Sequence, residues 1–121
     1  MKSVLVIDDE LQICESINMI LEYEGYAVDF TTSANEGLEK FSTKDFSAVL
    51  LDIQMPEMDG YAALKEIRKT NTSVPVVAFT AGVFDNIKQK MEDAGFEGFI
   101  RKPFKPDELS SKILEFTAVT A

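Results

Sequence analysis

The sequence predicts an α/β fold: a doubly wound, five-stranded parallel sheet built from five successive strand–helix units, with helices on both faces. Three observations carry this reading. Five short, β-branched-rich apolar runs recur along the 121 residues. Stretches with apolar residues spaced near the helical period separate them. The runs are apolar at consecutive positions, as a sheet covered on both sides requires.

The elements follow in order. Val4-Leu5-Val6-Ile7 is the first strand, too short for a helix. Leu11, Cys14, Ile17 and Leu21, with Ile13 and Ile20 beside them, form a helical stripe that Gly25 stops. Tyr26 to Thr31 reads as the second strand, and Ser33-Ala34-Asn35-Glu36 as a capping box opening a helix whose apolar side holds Leu38 and Phe41. Ala48 to Leu51 is the third strand. Pro56 and Gly60 break the loop that follows, and Asp59 caps a helix marked by Tyr61, Leu64 and Ile67. Val74 to Phe79 is the fourth strand, with Pro75 near its start. Ile87, Met91 and Ala94 outline a helix that Gly95 ends, and Phe96 to Ile100 is the fifth strand. Pro106, Asp107 and Glu108 open a last helix through Leu109, Ile113 and Phe116.

Residues 1–121 read as one domain, since the length suits one and no linker or repeat divides them. The net charge is −9, which argues against direct contact with nucleic acid or an anionic membrane and in favour of cations or basic surfaces. A single cysteine, Cys14, allows no internal disulfide and reads as a small core hydrophobe. No apolar run is long enough to cross a bilayer and no leader pattern is seen, so a soluble, cytoplasmic protein is expected.

Open parallel sheets bind ligands beyond the carboxyl ends of their strands. Asp8 and Asp9 follow the first strand, Asp52 ends the third, Thr80 ends the fourth, and Arg101 and Lys102 end the fifth. Carboxylates brought together repel one another unless a cation intervenes. The chain has no histidine, so an all-oxygen set selects a hard ion such as Mg²⁺. Lys102 suits a phosphoryl group as a compact positive charge, Thr80 can donate a hydroxyl hydrogen, and one carboxylate can act as nucleophile toward phosphorus.

With these residues placed, the chain resembles the receiver domains of two-component response regulators, including the single-domain chemotaxis type. The matching segments are Val4 to Glu10, Leu51 to Gly60, Phe79-Thr80-Ala81 and Phe99 to Phe104, so the resemblance runs from about Ser3 to Phe116. It implies the flavodoxin-like strand order 2-1-3-4-5 and a single receiver domain. It makes Asp52 the phosphoacceptor, served by a sensor histidine kinase or a histidine phosphotransfer protein. Asp9 and Asp52 would ligate Mg²⁺ directly, Asp8 through water, and Gln54 through its backbone carbonyl. Lys102 would bind a phosphoryl oxygen, Thr80 would turn toward the phosphoryl group, and Phe99 would move inward behind it. Lys102-Pro103 would be a cis peptide. The surface formed by the fourth helix, fifth strand and fifth helix would be the output, open to a partner or to homodimerisation. The domain would be a switch, assisting only its own phosphorylation and dephosphorylation.

Plainer readings stand beside these. Asp9 with Gln12 also spells a helix capping box, Thr80 suits any strand, and Phe99 serves equally as core. Phe99 stands where the family commonly has Tyr, and Gly82-Val83-Phe84 is more apolar than such loops often are. Met55 and Met58 read as loop packing, and Lys65-Glu66 and Lys88-Gln89-Lys90 as solvated helix faces. A phosphatase of the haloacid-dehalogenase type needs a second Asp two residues beyond its nucleophile, and here Asp8 is followed by Asp9 and Glu10. A receiver that serves only as a docking scaffold has no need of all five site residues. No Gly-x4-Gly-Lys-Ser/Thr motif follows the first strand, which excludes a P-loop.

Overall fold

A computed structural model describes residues 2–56, 58–80 and 86–119. Strands and helices alternate: β1 (Ser3–Ile7), α1 (Leu11–Tyr23), β2 (Ala27–Thr31), α2 (Ala34–Thr43), β3 (Ala48–Asp52), α3 (Gly60–Thr70), β4 (Val76–Thr80), α4 (Ile87–Ala94), β5 (Gly98–Arg101) and α5 (Pro106–Val119). All pairings are parallel and the sheet order is β2-β1-β3-β4-β5, as expected.

The strand side chains alternate between two apolar layers. Leu5, Ile7, Val49, Leu51, Val76 and Ala78 face one layer, closed by Ala34, Ala63, Leu64, Ile67 and Met91 of α2, α3 and α4. Val4, Val6, Leu50, Val77, Phe79 and Ile100 face the other, closed by Cys14, Ile17 and Leu21 of α1 and Leu109 and Ile113 of α5. Burial on both sides is why the strands are continuous apolar runs rather than alternating ones.

The caps act where the sequence places them. Ser33 accepts a hydrogen bond from the Glu36 N–H and Asp59 from the Ala62 N–H. Gly25 and Gly95 take positive φ angles of 96° and 103°, which terminate α1 and α4 at little steric cost. The Asp9–Gln12 capping box does not form: Glu10 is the N-cap of α1, and no side chain caps it.

Several boundaries differ from the sequence reading. Leu11 is 53% exposed, so the buried stripe of α1 is Cys14, Ile17 and Leu21 alone. β4 begins at Val76, because Pro75 has no N–H for the ladder, although its carbonyl still accepts from Val49. Phe96 belongs to the end of α4, since its N–H donates to the Met91 carbonyl, so β5 begins at Gly98. β3 and β4 carry Asp52 and Thr80 as their last residues, where the sequence places them.

Candidate functional site

The site is assembled by register. Ile7 of β1 pairs with Leu51 of β3, so Asp8 and Asp52 emerge side by side at the carboxyl edge. Each carboxylate is tied to the backbone two residues on: the Glu10 N–H donates to Asp8 Oδ1 at 2.9 Å and the Gln54 N–H to Asp52 Oδ1 at 3.0 Å. The other oxygens meet Lys102. Its Nζ lies 2.7 Å from Asp8 Oδ2 and 3.3 Å from Asp52 Oδ2, with Glu10 Oε1 at 3.5 Å. Lys102 is aimed there because β5 pairs Arg101 with Thr80, and the Lys102 N–H donates to the Thr80 carbonyl at 2.8 Å. The Lys102-Pro103 bond is cis, as the resemblance implied.

The environment is dry for so much charge. Asp8 is fully buried, Asp52 is 4% exposed and Thr80 is 1% exposed. Desolvation pushes the Asp52 carboxyl up to about 6. The Gln54 N–H opposes this, the Asp8 charge adds to it, Lys102 opposes it, and a carboxyl–carboxyl contact with Asp9 raises it again. Burial works against the Lys102 charge, but the adjacent Asp8 and Asp52 hold its pKa above the usual lysine value. Asp8 Oδ2 is held by Lys102 in an ion pair at 2.7 Å, off the ideal hydrogen-bond direction. Beneath the site, Cys14 Sγ donates to the Asp8 carbonyl at 3.3 Å, and burial pushes the thiol up to about 12. It is no nucleophile at neutral pH.

The residues fit a hard divalent cation. Carboxylate oxygens of Asp8, Asp9 and Glu10 lie within 4.8 Å of one another, and Asp9 is exposed at the mouth and in contact with Asp52. The donors are all oxygen, and a buried carboxylate oxygen without a hydrogen-bond donor is among them. The sequence reading missed the part played by Glu10, which joins the cluster and reaches Lys102. Its place beside Asp8 and Asp9 was the available signal.

Thr80 ends β4 next to Phe79, the register partner of Asp52. Phe99 pairs with Ala78, two residues before Thr80, so Thr80 and Phe99 share one face of the sheet. Phe99 is half-buried and borders a groove of about 550 Å³ with Arg101, Asp107, Ser111 and Lys112. Gly82-Val83-Phe84 lies outside the described residues, as do Ala81, Asp85 and Glu57.

The family model of the response regulator receiver domain matches residues 4–114. The chain belongs to that family. Among curated relatives, the receiver domain is 36% identical over 112 residues to the transcriptional regulatory protein YkoG of Bacillus subtilis, covering 91% of this chain and 48% of that protein. It is 34% identical over 113 residues to the response regulator SaeR of Staphylococcus aureus, covering 93% and 49%. The chain thus spans about half the length of the curated relatives it matches. Among solved structures, the chemotaxis protein CheY4 of Vibrio cholerae superposes with a TM-score of 0.90 at 27% identity, covering 96% of this chain and 98% of that one. The response regulator TrrA of Thermotoga maritima, solved with Mg²⁺ and BeF, superposes with a TM-score of 0.84 at 32% identity, covering 96% and 99%. The receiver domain is therefore a phosphoacceptor-type module of two-component signalling. Among the described residues, no helix is long and apolar enough to cross a membrane.

Proposed function

We propose that Asp52 is the phosphoacceptor of this receiver domain, and that its phosphoryl donor is the phosphohistidine of a sensor kinase or a histidine phosphotransfer protein. One observation carries the reading: Asp52 Oδ2 is a buried carboxylate oxygen facing Lys102 at 3.3 Å, beside Asp8 and Asp9. In the transfer, a bond forms between Asp52 Oδ2 and phosphorus while the phosphorus–nitrogen bond of the donor breaks. The electron pair leaves with the imidazole nitrogen, which takes up a proton.

The residues divide this work. The Gln54 N–H fixes the acceptor by its other oxygen. Lys102 neutralises charge on the transferred group, and its hold on Asp8 keeps it in place before the group arrives. Asp9 and Asp52 would hold Mg²⁺ directly, with the Gln54 carbonyl, and Asp8 would hold it through water. Bound there, the ion would supply positive charge to neutralise the phosphoryl group beside the acceptor. Thr80, on the face shared with Phe99, turns to donate its hydroxyl hydrogen, and Phe99 follows inward, altering the α4–β5–α5 surface that serves as output, including as a homodimer contact. The domain is a switch that assists its own phosphorylation and dephosphorylation. It works in the cytoplasm without contacting nucleic acid or membrane directly.

The test is intact mass after incubation with acetyl phosphate and Mg²⁺. We expect one added phosphoryl group, labile to acid and base, that is absent without Mg²⁺ and absent in Asp52→Asn. Labelling that persists in Asp52→Asn overturns the assignment.

A further inference from the structure

Beneath the carboxylates the site has an aromatic floor. Phe79 closes the apolar run of β4 and is fully buried. It projects into the layer covered by α1 and α5, and its register partner on β3 is Asp52, the next position after Leu50 on that side of the sheet. The two strands stay paired at this point, since the Ile53 N–H donates to the Phe79 carbonyl at 3.2 Å. The Phe79 ring meets that of Phe104, with centroids 5.7 Å apart and planes tilted by 34°. Phe104 lies two residues beyond Lys102 and is half-buried against the same apolar layer.

The Lys102 ammonium lies over the Phe79 ring, 6.0 Å from its centroid. The face of an aromatic ring is negative and attracts a cation, more strongly where water is excluded. The Lys102 side chain is only 10% exposed, so the contact is shielded. It also differs in kind from the other contacts of this lysine. Asp8 at 2.7 Å and Asp52 at 3.3 Å are the partners whose charge the metal and the phosphoryl group would claim. Glu10, at 3.5 Å, has an exposed side chain, and such pairs are weak in water. The ring neither binds a metal nor accepts phosphorus. It is therefore the same partner before and after transfer, and it restrains an ammonium carried on a long, flexible stem.

We propose that Phe79 is a positioning residue for phosphoryl transfer: its ring, backed by Phe104, holds the Lys102 ammonium at the β3–β4 edge, within reach of a group on Asp52, when the carboxylates turn to the metal. The proposal rests on Asp52 and Lys102 acting as proposed above. Phe79 has no polar side-chain atom to offer substrate or metal, and it acts through Lys102.

The test is NMR on the full chain with Phe79→Leu, which keeps an apolar side chain in the layer and removes the ring. Without metal, the Lys102 ε-methylene protons should move downfield as the ring current is lost. The Glu10 and Gln54 amides, which report the ties of Asp8 and Asp52 to the backbone, should keep their shifts. The variant should bind Mg²⁺ at least as tightly as the parent, because every carboxylate is retained. Beryllium fluoride at saturating Mg²⁺ should bind roughly three- to tenfold more weakly, the size of one shielded cation–π contact. Phe104→Leu removes only the backing ring and should show the same split in smaller measure, and it serves alone if Phe79→Leu does not fold. A Lys102 signal that stays in place, or Mg²⁺ and beryllium fluoride affinities that fall together or both hold, overturns the role of the ring alone. A parent whose Asp52 and Lys102 signals do not respond to beryllium fluoride overturns the site reading and this proposal with it.

Discussion

Replacing Asp52 by Asn should make the Mg²⁺-free protein more stable, although it deletes a partner of a buried lysine. The Asp52 carboxyl titrates at about 6 in the folded protein against an ordinary value of 3.8. The native state therefore binds more protons than the unfolded chain between these values, and stability falls as pH rises through that window. At ~1.36 kcal/mol per pKa unit, the ionised carboxylate costs the fold about 3 kcal/mol above pH 6. Asn can still accept from the Gln54 N–H, and Lys102 keeps Asp8 at 2.7 Å. Loss of the 3.3 Å contact with Lys102 offsets part of the gain. We expect Asp52→Asn to gain on the order of 1–3 kcal/mol at pH 7.5, or roughly 3–10 °C in Tm. Urea unfolding followed by circular dichroism in EDTA measures this, with the slope against denaturant unchanged. Near pH 4 the gain should disappear, because Asp52 is then largely protonated in the folded parent. Added Mg²⁺ should narrow it at pH 7.5, because the ion stabilises the parent. A variant less stable than the parent at pH 7.5, or equally favoured at both pH values, refutes this account of the site.

Three further outcomes are expected. Asp9→Ala should abolish Mg²⁺ binding in an NMR titration while Asp8→Ala only weakens it, and unchanged affinity in Asp9→Ala would refute the ligand assignment. Lys102→Met removes the counter-charge of Asp8 and Asp52, so calorimetry should find Mg²⁺ bound severalfold more tightly even as phosphorylation is lost; weaker binding would show that Lys102 does not compete with the ion. Gly60→Ala would bring a Cβ within 2.6 Å of Ile53 Cα and 2.8 Å of the Asp52 carbonyl, both rigid backbone, and should cost about 1–3 kcal/mol with slowed phosphorylation. Gly37→Ala meets side-chain atoms rather than backbone, Cδ1 and Cγ1 of Ile7 and Cγ2 of Thr31, so equal losses in urea unfolding would refute that contrast.

The fold was legible because its signals are local and repeated. Ser33, Asp59, Gly25 and Gly95 punctuate the chain through their own backbone chemistry, and unbroken apolar runs such as Ala48 to Leu51 announce burial on both faces. The site was legible because polar residues end those runs, and parallel register then leaves few places for them to go. What escaped depends on distance in sequence. Nothing local marks Arg68 and Glu97 as partners, and only the folded chain brings them to 2.6 Å. Leu11 fits the periodicity of α1 yet faces solvent, because a period fixes a stripe without fixing where the covering layer stops. Phe96 could extend β5 by composition, but the turn after Gly95 claims its N–H first.

The pinning of Asp52 by one oxygen separates permanence from exchange within a single carboxylate. Oδ1 stays committed to the Gln54 N–H, and with it the course of the chain leaving β3. Oδ2 is the oxygen open to chemistry. With Asp52 as the proposed acceptor, a phosphoryl group carried on Oδ2 leaves the Oδ1 anchor to the Gln54 N–H in place. On the proposed role, the acceptor returns after each cycle to a carboxylate still held by the same bond from the chain leaving β3.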